Sequence, residues 1–525
     1  MQSAAPTRVA RAARAAAAAA PLAASSTAGS LDLPTSSTAS SGPARSGPAH
    51  SHTAGAPNKK RARQRQDKPR LEGKWLPVLQ GRSPRGRGCG HFVYGTPTPS
   101  TKIAAFDLDG TVIRPLGGKA FPKSSFDWEF CGPEVVPKLR ATYRQGYSLL
   151  LISNQASSVP SLASDFRKKL PFVARKIGVP LRAFACFDFD EFRKPAPGMW
   201  HAFAERFNGG ASIDYSASFY VGDAAGRPAD HADTDRKFAL NTGLRFLTPE
   251  QFFLGHEADP DWTLWGWHPH AYDHTLPPPP QLADPAAATL GADDAPEVVL
   301  LVGPPAVGKT AYAAQLEQEG YLVLRLPRDA APAALEPALH AALTRPPSSG
   351  APTPRGLIID ASLPTRRARA RLLAAVRASA APVRTRCVVW TACAGGGDGA
   401  EQGVRMGSDE DTREVVELGR HNAVFRLATG AGEGQGEGAA GLTPLREFEA
   451  WARCYEVPTL AEGFTTLTPH RFSFSPSQSG GVPLSRWTQW LADAYPGKAK
   501  KTGRVALRGA DLLVRPGAVA RAEER

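Results

Sequence analysis

Cysteine is scarce, with six in 525 residues, at 89, 131, 186, 387, 393 and 454. So wide a scatter excludes a disulfide framework and the paired-cysteine zinc sites, and it predicts a reducing compartment. Long apolar runs are also missing. The alanine tract at 15–20 is stopped by Pro21, and no stretch approaches the ~18 residues of a membrane span, so a soluble chain without membrane contact is expected. Acids are nearly absent from the first hundred residues, where Asp32, Asp67 and Glu72 face fifteen Lys/Arg. Most of the net charge of +14 therefore sits in that segment. The remainder is close to neutral, so any hold on a polyanion there must come from local basic patches.

What is abundant is Gly (50) and Pro (48), which predicts long irregular stretches between ordered units. At this length more than one hydrophobic core is expected. Residues 1–99 read as a disordered basic tail, too poor in large apolar side chains to offset chain entropy. Two addresses are written in it. Arg8, Arg11 and Arg14 among Ala and Ser resemble a mitochondrial transit peptide, which suggests a mitochondrial fraction. Lys59-Lys60-Arg61-Ala62-Arg63-Gln64-Arg65 reads as a nuclear localisation or nucleic-acid patch, and the nucleus is the main expectation. A first α/β domain is expected over 100–268, a Pro-rich linker over 269–295, a second α/β domain over 296–475 and an extension over 476–525. The acidic stretch 408–411 and the Gly/Glu stretch 430–440 read as mobile insertions.

In the first domain, the apolar run 102–106 ends at Asp107-Leu108-Asp109-Gly110-Thr111. Two carboxylates two residues apart at a strand end can divide labour, one attacking phosphorus and the other handling the proton of the leaving oxygen and then of water. A second apolar run ends at Ser153-Asn154, whose hydroxyl and amide can hold phosphate oxygens. Lys194 follows, then Asp223 after a third run, then Asp235. This order of acid pair, Ser, Lys and acid resembles the haloacid dehalogenase superfamily of phosphatases. The resemblance implies Asp107 as nucleophile, Asp109 as acid/base, and Ser153 and Lys194 as phosphoryl ligands. It also implies Mg2+ on Asp107, Asp223 and the Asp109 carbonyl, with Asp235 as a further acid behind them.

In the second domain, Gly303-Pro304-Pro305-Ala306-Val307-Gly308-Lys309-Thr310 lies between an apolar run and a helical pattern, the context that the phosphate-binding loop requires. Its backbone N–H groups would cradle ATP phosphates, Lys309 would reach the β/γ oxygens and Thr310 would hold Mg2+. Arg420 and Arg426 are candidate phosphate clamps, although six residues apart they do not share a helical face. Asp360, which closes a strand, is a candidate for holding substrate or metal.

A phosphatase followed by a P-loop kinase resembles the polynucleotide kinase 3′-phosphatase family of DNA-end repair enzymes. The likeness extends to Arg193-Lys194-Pro195, to Tyr220-Val221-Gly222-Asp223, to Gly419-Arg420-His421-Asn422 and to the run from Tyr455 to Phe464. It implies an α/β fold, a haloacid-dehalogenase-like phosphatase domain then a P-loop kinase domain. It also implies removal of 3′-phosphates and ATP-dependent phosphorylation of 5′-hydroxyls at DNA ends; a monomer with repair-complex proteins as partners is a separate expectation. The kinase base is implied to be Asp329, the first acid after the strand that follows the P-loop helix, preceded by Arg328. Two departures stand out. The forkhead-associated domain of animal members is replaced by the basic tail, and the family's Asp-Asn-Thr-Asn-Pro string appears as Asp360-Ala361-Ser362-Leu363-Pro364. Two alternatives stay open: a 3′-phosphatase with a degenerate kinase half, and a metabolite phosphatase fused to a small-molecule kinase.

Overall fold

A computed structural model describes residues 71–82, 86–119, 122, 124–155, 160–269, 272–284, 296–325, 334–344, 354–379, 383–394, 406–430, 443, 445–479, 481–490 and 505–508. The first half is built on β1 (Gly73–Leu79), β2 (Cys89–Tyr94), β3 (Ile103–Phe106), the short hairpin β4 (Ile113–Arg114) and β5 (Glu129–Phe130), and helix α1 (Val135–Arg144). Next come β6 (Ser148–Asn154), α2 (Pro160–Ile177), β7 (Leu181–Cys186), α3 (Gly198–Ala202), β8 (Phe219–Val221), α4 (Thr234–Thr242), β9 (Arg245–Leu247) and β10 (Thr263–Trp265). The main sheet runs β1-β2-β7-β6-β3-β8-β9. Its strands from β7 to β9 are parallel and β1 and β2 are antiparallel.

β3 is central, apolar and fully buried, so polar side chains just past its carboxyl end emerge in the crevice above the sheet. α2 covers one face with Phe166, Leu170, Val173 and Ile177, spaced as a helix stripe. On the other face Met199, Trp200 and Phe203 pack with Ile152 and Tyr220.

The tail expected to reach residue 99 ends earlier. Trp75 on β1 packs against Phe92 on β2 at 5.2 Å between ring centroids and against Phe166 at 6.3 Å, so both strands belong to the sheet. The averaged composition of the first hundred residues hid these two short apolar runs, which the Arg-rich turn between them dilutes. Residues 1–70, with the proposed transit peptide and basic patch, lie outside the described residues.

The second half contains β11 (Leu282–Ala283), β12 (Glu297–Val302), α5 (Lys309–Gln318), β13 (Leu322–Arg325), α6 (Leu335–Thr344), β14 (Gly356–Asp360), α7 (Arg366–Arg377) and β15 (Arg384–Trp390). It continues with α8 (Asp409–Thr429), α9 (Leu445–Cys454), β16 (Thr466–His470), α10 (Leu484–Thr488) and β17 (Val505–Arg508). The sheet order is β11-β16-β15-β12-β14-β13, with only β11 antiparallel. β12, which feeds the phosphate loop, lies between β15 and β14 with five consecutive buried residues.

Both sheets belong to one unit beginning at Lys68. Trp267, Tyr272, Leu418, Phe425, Trp487 and Trp490 form one buried cluster. Tyr272 Oη donates to the Phe472 carbonyl at 2.9 Å, and Arg471 donates to the Asp273 carbonyl at 2.6 Å. The described part of the expected linker is therefore fastened to the second half, and β11 extends its sheet. The expected C-terminal extension is likewise built in. Trp487 and Trp490 fill the cluster, and β17 pairs antiparallel with β10 of the first half. Indoles and a strand edge bury area only once their partners are present, which a local reading of the extension does not see.

The expected insertion at 408–411 is instead a helix start. Ser408 caps α8, and Asp409, Glu410 and Asp411 form its first turn, where acids suit the helix dipole. Asp411 is buried and accepts from Thr391 Oγ1 and the N–H groups of Ala392 and Gly407. The 430–440 stretch lies outside the described residues apart from Gly430, the αL cap of α8. No helix among the described residues is long and apolar enough to cross a membrane.

Candidate active sites

At the carboxyl end of β3 the sequence-predicted phosphatase residues converge. Lys194 is almost fully buried, and its Nζ donates to Asp107 Oδ1 at 2.5 Å, to Asp235 Oδ1 at 2.7 Å and to Tyr220 Oη at 2.9 Å. Burial alone would lower the Lys194 pKa, but Asp107 and Asp235 outweigh it and raise it, so the ammonium stays charged. Asp107 is pushed up by burial, partly offset by Lys194, with Asp235 and Asp223 raising it further. Asp223 is raised to about 6 by burial and by Asp235, against the opposing pull of His231 and Lys194.

One buried ammonium among three converging carboxylates leaves a surplus of negative charge. Carboxylate oxygens of Asp107, Asp223 and Asp235 lie within 4.8 Å of one another. Hard oxygen donors at that spacing fit a magnesium ion. Asp235 is the most committed of the three, with Oδ1 shared by Lys194 and Tyr220 and Oδ2 accepting from the Ala224 N–H at 3.0 Å. Asp107 and Asp223 are thus the freer donors. Gly110 sits at φ +100 against Asp223, and a Cβ there would fall 2.3 Å from Asp223 Oδ2, so the turn after the acid pair needs glycine.

Asp109 is more exposed than Asp107 and is held from two sides. Gln155 Nε2 donates to Asp109 Oδ2 at 2.7 Å and to Ser153 Oγ at 2.8 Å, while Lys169 Nζ donates to Asp109 Oδ1 at 2.8 Å. Asn154, expected to hold phosphate oxygens, is engaged elsewhere. Its amide clasps Lys194 by accepting from the Lys194 N–H and donating to its carbonyl. It thereby ties the ends of the β6 and Lys194 segments together.

In the second half, the loop from Gly303 to Gly308 joins β12 to α5. Ala306 and Gly308 have φ of 63 and 100, and such left-handed residues turn successive N–H groups toward one concavity. Lys309 Nζ is folded onto the loop itself, donating to the carbonyls of Gly303 at 2.9 Å and Pro304 at 2.7 Å. Its pKa is lowered to about 8 by burial, opposed by Asp360 and assisted by Arg426. Asp360 and Arg426 are therefore near enough to act on the loop lysine. Arg420 is placed differently: it pairs with Glu417 and lies over the Phe448 ring. Thr310 is exposed in the first turn of α5. Asn422 of α8 donates to the Ala306 carbonyl at 3.2 Å and accepts from Trp487 Nε1 at 2.8 Å, linking the loop to the C-terminal segment.

Residues 102–253 match the family described as polynucleotide kinase 3 phosphatase. A bifunctional polynucleotide phosphatase/kinase from Schizosaccharomyces pombe is 33% identical over 384 residues, covering 71% of this chain and 80% of its own. A match of that length includes the phosphate loop wherever it begins. The chain belongs to the bifunctional polynucleotide phosphatase/kinase family. The first half alone is similar to an uncharacterized 20.8 kDa protein of Autographa californica nuclear polyhedrosis virus, 44% identical over 160 residues, covering 29% of this chain and 85% of its own. It is also similar to the polynucleotide 3′-phosphatase ZDP of Arabidopsis thaliana, 35% identical over 182 residues, covering 31% of this chain and 25% of its own.

For this family member, then, the fold brings together Asp107, Asp109, Ser153, Lys194, Asp223 and Asp235, and separately sets Asp360 and Arg426 around Lys309. Asp329 lies outside the described residues. Sequence reasoning missed Gln155, Lys169 and Tyr220. Lys169 carried a legible signal, since a lysine within the apolar stripe 166/170/173/177 of α2 needs a buried partner. Tyr220, inside an apolar strand, carried none.

Proposed function

We propose that this chain hydrolyses 3′-phosphate ends of DNA and phosphorylates 5′-hydroxyl ends with ATP, restoring ends that can be joined. The observation that carries the first activity is the ammonium of Lys194 between Asp107 and Asp235, with Asp109 held beside them. The Asp107 carboxylate attacks phosphorus, the bond from phosphorus to the 3′-oxygen breaks, and Asp109 gives its proton to that oxygen. Asp109 then takes a proton from water as the water attacks the aspartyl phosphate, releasing inorganic phosphate and freeing Asp107. Lys194 and Ser153 hold the phosphoryl oxygens, Lys194 stabilising charge that grows in the transition state. Asp107, Asp223 and the Asp109 carbonyl would hold a magnesium ion, which would supply further charge neutralisation.

In the kinase reaction the loop N–H groups and Lys309 take the nucleotide phosphates, Lys309 leaving its own carbonyls to do so. Thr310 would hold the accompanying magnesium and Arg426 would neutralise phosphate charge, while Arg420 stiffens α8 through its one-turn ion pair with Glu417. Asp329 accepts the proton of the 5′-hydroxyl as its oxygen attacks the γ-phosphorus and ADP departs. Asp360 orients substrate or metal beside Lys309. The basic residues 59–65 direct the chain to the nucleus, with a mitochondrial fraction from the first 31 residues, and repair-complex proteins are its partners.

One assay tests the whole reading: a nicked duplex carrying 3′-phosphate and 5′-hydroxyl termini, with and without ATP. Phosphate release without ATP and labelling of the 5′ end only with ATP are expected. Release from small phosphate esters in preference to the oligonucleotide would sink the DNA assignment.

A further inference from the structure

Two large aromatic rings stand in the open on the phosphatase half. Phe126 is 63% exposed and Phe172 41% exposed, and they touch edge to face with ring centroids 5.2 Å apart. Isolated exposed apolar residues are ordinary, but two paired rings form a patch that water solvates poorly. Each sits on an element that also reaches the Asp109 segment. Phe172 lies one turn beyond Lys169 on α2, and Lys169 holds Asp109 Oδ1 at 2.8 Å. Phe126 lies in the loop between β4 and β5, and β4 follows the acid pair directly, with the Gly110 N–H donating to the Ile113 carbonyl.

The surroundings are cationic. The Arg175 guanidinium lies 5.7 Å from the Phe172 ring centre and Lys176 Nζ 4.7 Å from the Trp128 ring centre, both cations being exposed on α2. Arg175 and Phe126 together flank Phe172, which leaves Phe126 with the larger open surface. An open aromatic face beside exposed cations is the chemistry that takes a single-stranded nucleic acid, the ring stacking a base and the cations meeting the backbone. A protein partner would want a broader apolar field, and an acidic peptide would not need the ring.

We propose that Phe126, buttressed by Phe172, is a stacking platform for a nucleobase near the 3′ end of the phosphorylated strand. The platform rests on the 3′-phosphatase reading above and adds to it a reason to prefer strands over small esters. Stacking on a ring is indifferent to base identity, so the platform selects for the presence of a base and not for sequence.

The test compares wild type, Phe126→Ala and Phe126→Trp on two 3′-phosphorylated oligodeoxynucleotides, one ordinary and one abasic at its last two nucleosides. With the ordinary strand, Phe126→Ala should raise KM roughly tenfold with little change in kcat, and Phe126→Trp should restore it. With the abasic strand, wild type and Phe126→Ala should share one raised KM. An equal rise from Phe126→Ala on both strands, or none on either, would overturn the platform alone. A drop in thermal stability of Phe126→Ala with KM unmoved would mark the rings as cover for another part of this chain, and would also overturn it. Failure of wild type to release phosphate from either strand would overturn the 3′-phosphatase reading, and the platform with it.

Discussion

The two phosphate-handling centres are built on the same plan, a buried strand with its chemistry at the carboxyl end, but they differ in how complete they are. Around the Lys194 ammonium each hydrogen bond goes to another member of the site, and the residues proposed to perform chemistry also hold one another. Around Lys309 the ammonium rests on carbonyls of its own loop. The difference follows from what each must do. A nucleophilic carboxylate that attacks an anion must be positioned before substrate arrives, whereas a loop that binds a nucleotide can close on it using N–H groups fixed by backbone conformation. A buried acid cluster is also costly to leave unbalanced, so the phosphatase site carries its counterion in the fold.

Breaking that comparison begins with the proposed nucleophile. Asp107→Asn should cut 3′-phosphate release by ~10³-fold or more while 5′ phosphorylation persists, measured on the same nicked duplex. The reciprocal change, Lys309→Ala, should lose ATP-dependent labelling by about the same factor and keep phosphate release without ATP. Loss of both activities in a folded Lys309→Ala protein would mean that the buried cluster of Trp267, Trp487 and Trp490 couples the two centres.

The proposed kinase base gives a smaller effect. Asp329→Ala should lower kinase turnover ~100-fold with ATP affinity little changed. Near-normal turnover in that variant, with Asp360→Ala inactive, would name Asp360 instead. Lys169→Met sharpens the comparison from the phosphatase side. With the Lys169 tie to Asp109 removed, kcat should fall about tenfold at nearly constant KM, and Lys169→Arg should recover part of it.

The smallest effect concerns acid stability. Burial lowers the His421 pKa to about 3, with His268 adding to it, and the ring sits 5.0 Å from Trp267 and 5.5 Å from Trp487. The unfolded chain binds a proton there near pH 6.5 and the folded one does not, so stability is full above that pH and declines as pH falls toward 3. His421→Phe should therefore narrow the drop in Tm between pH 7 and pH 5 by a few degrees, with an unchanged drop pointing to the other buried histidines.

What the sequence by itself determined about this protein is where chemistry attaches to strands. Apolar runs ending in Asp107, in Ser153, in Asp223 and in Gly303 specify buried strands with reactive ends, because a short apolar run bounded by polar residues has few other ways to fold. The acid pair and the phosphate loop are contiguous strings, so local order alone exposed them. The tertiary structure decided what depends on residues far apart in the chain. Gln155 meets Asp109 because β6 lies beside β3, Lys169 meets it only after α2 has packed across the sheet, and Tyr220 reaches Lys194 only because β8 lies beside β3. The same holds for β1 and β2, for the helix start at Ser408 and for Trp487 and Trp490. Each gains its stability from a partner supplied by another segment, through burial of area and pairing of polar groups that no local window of sequence contains.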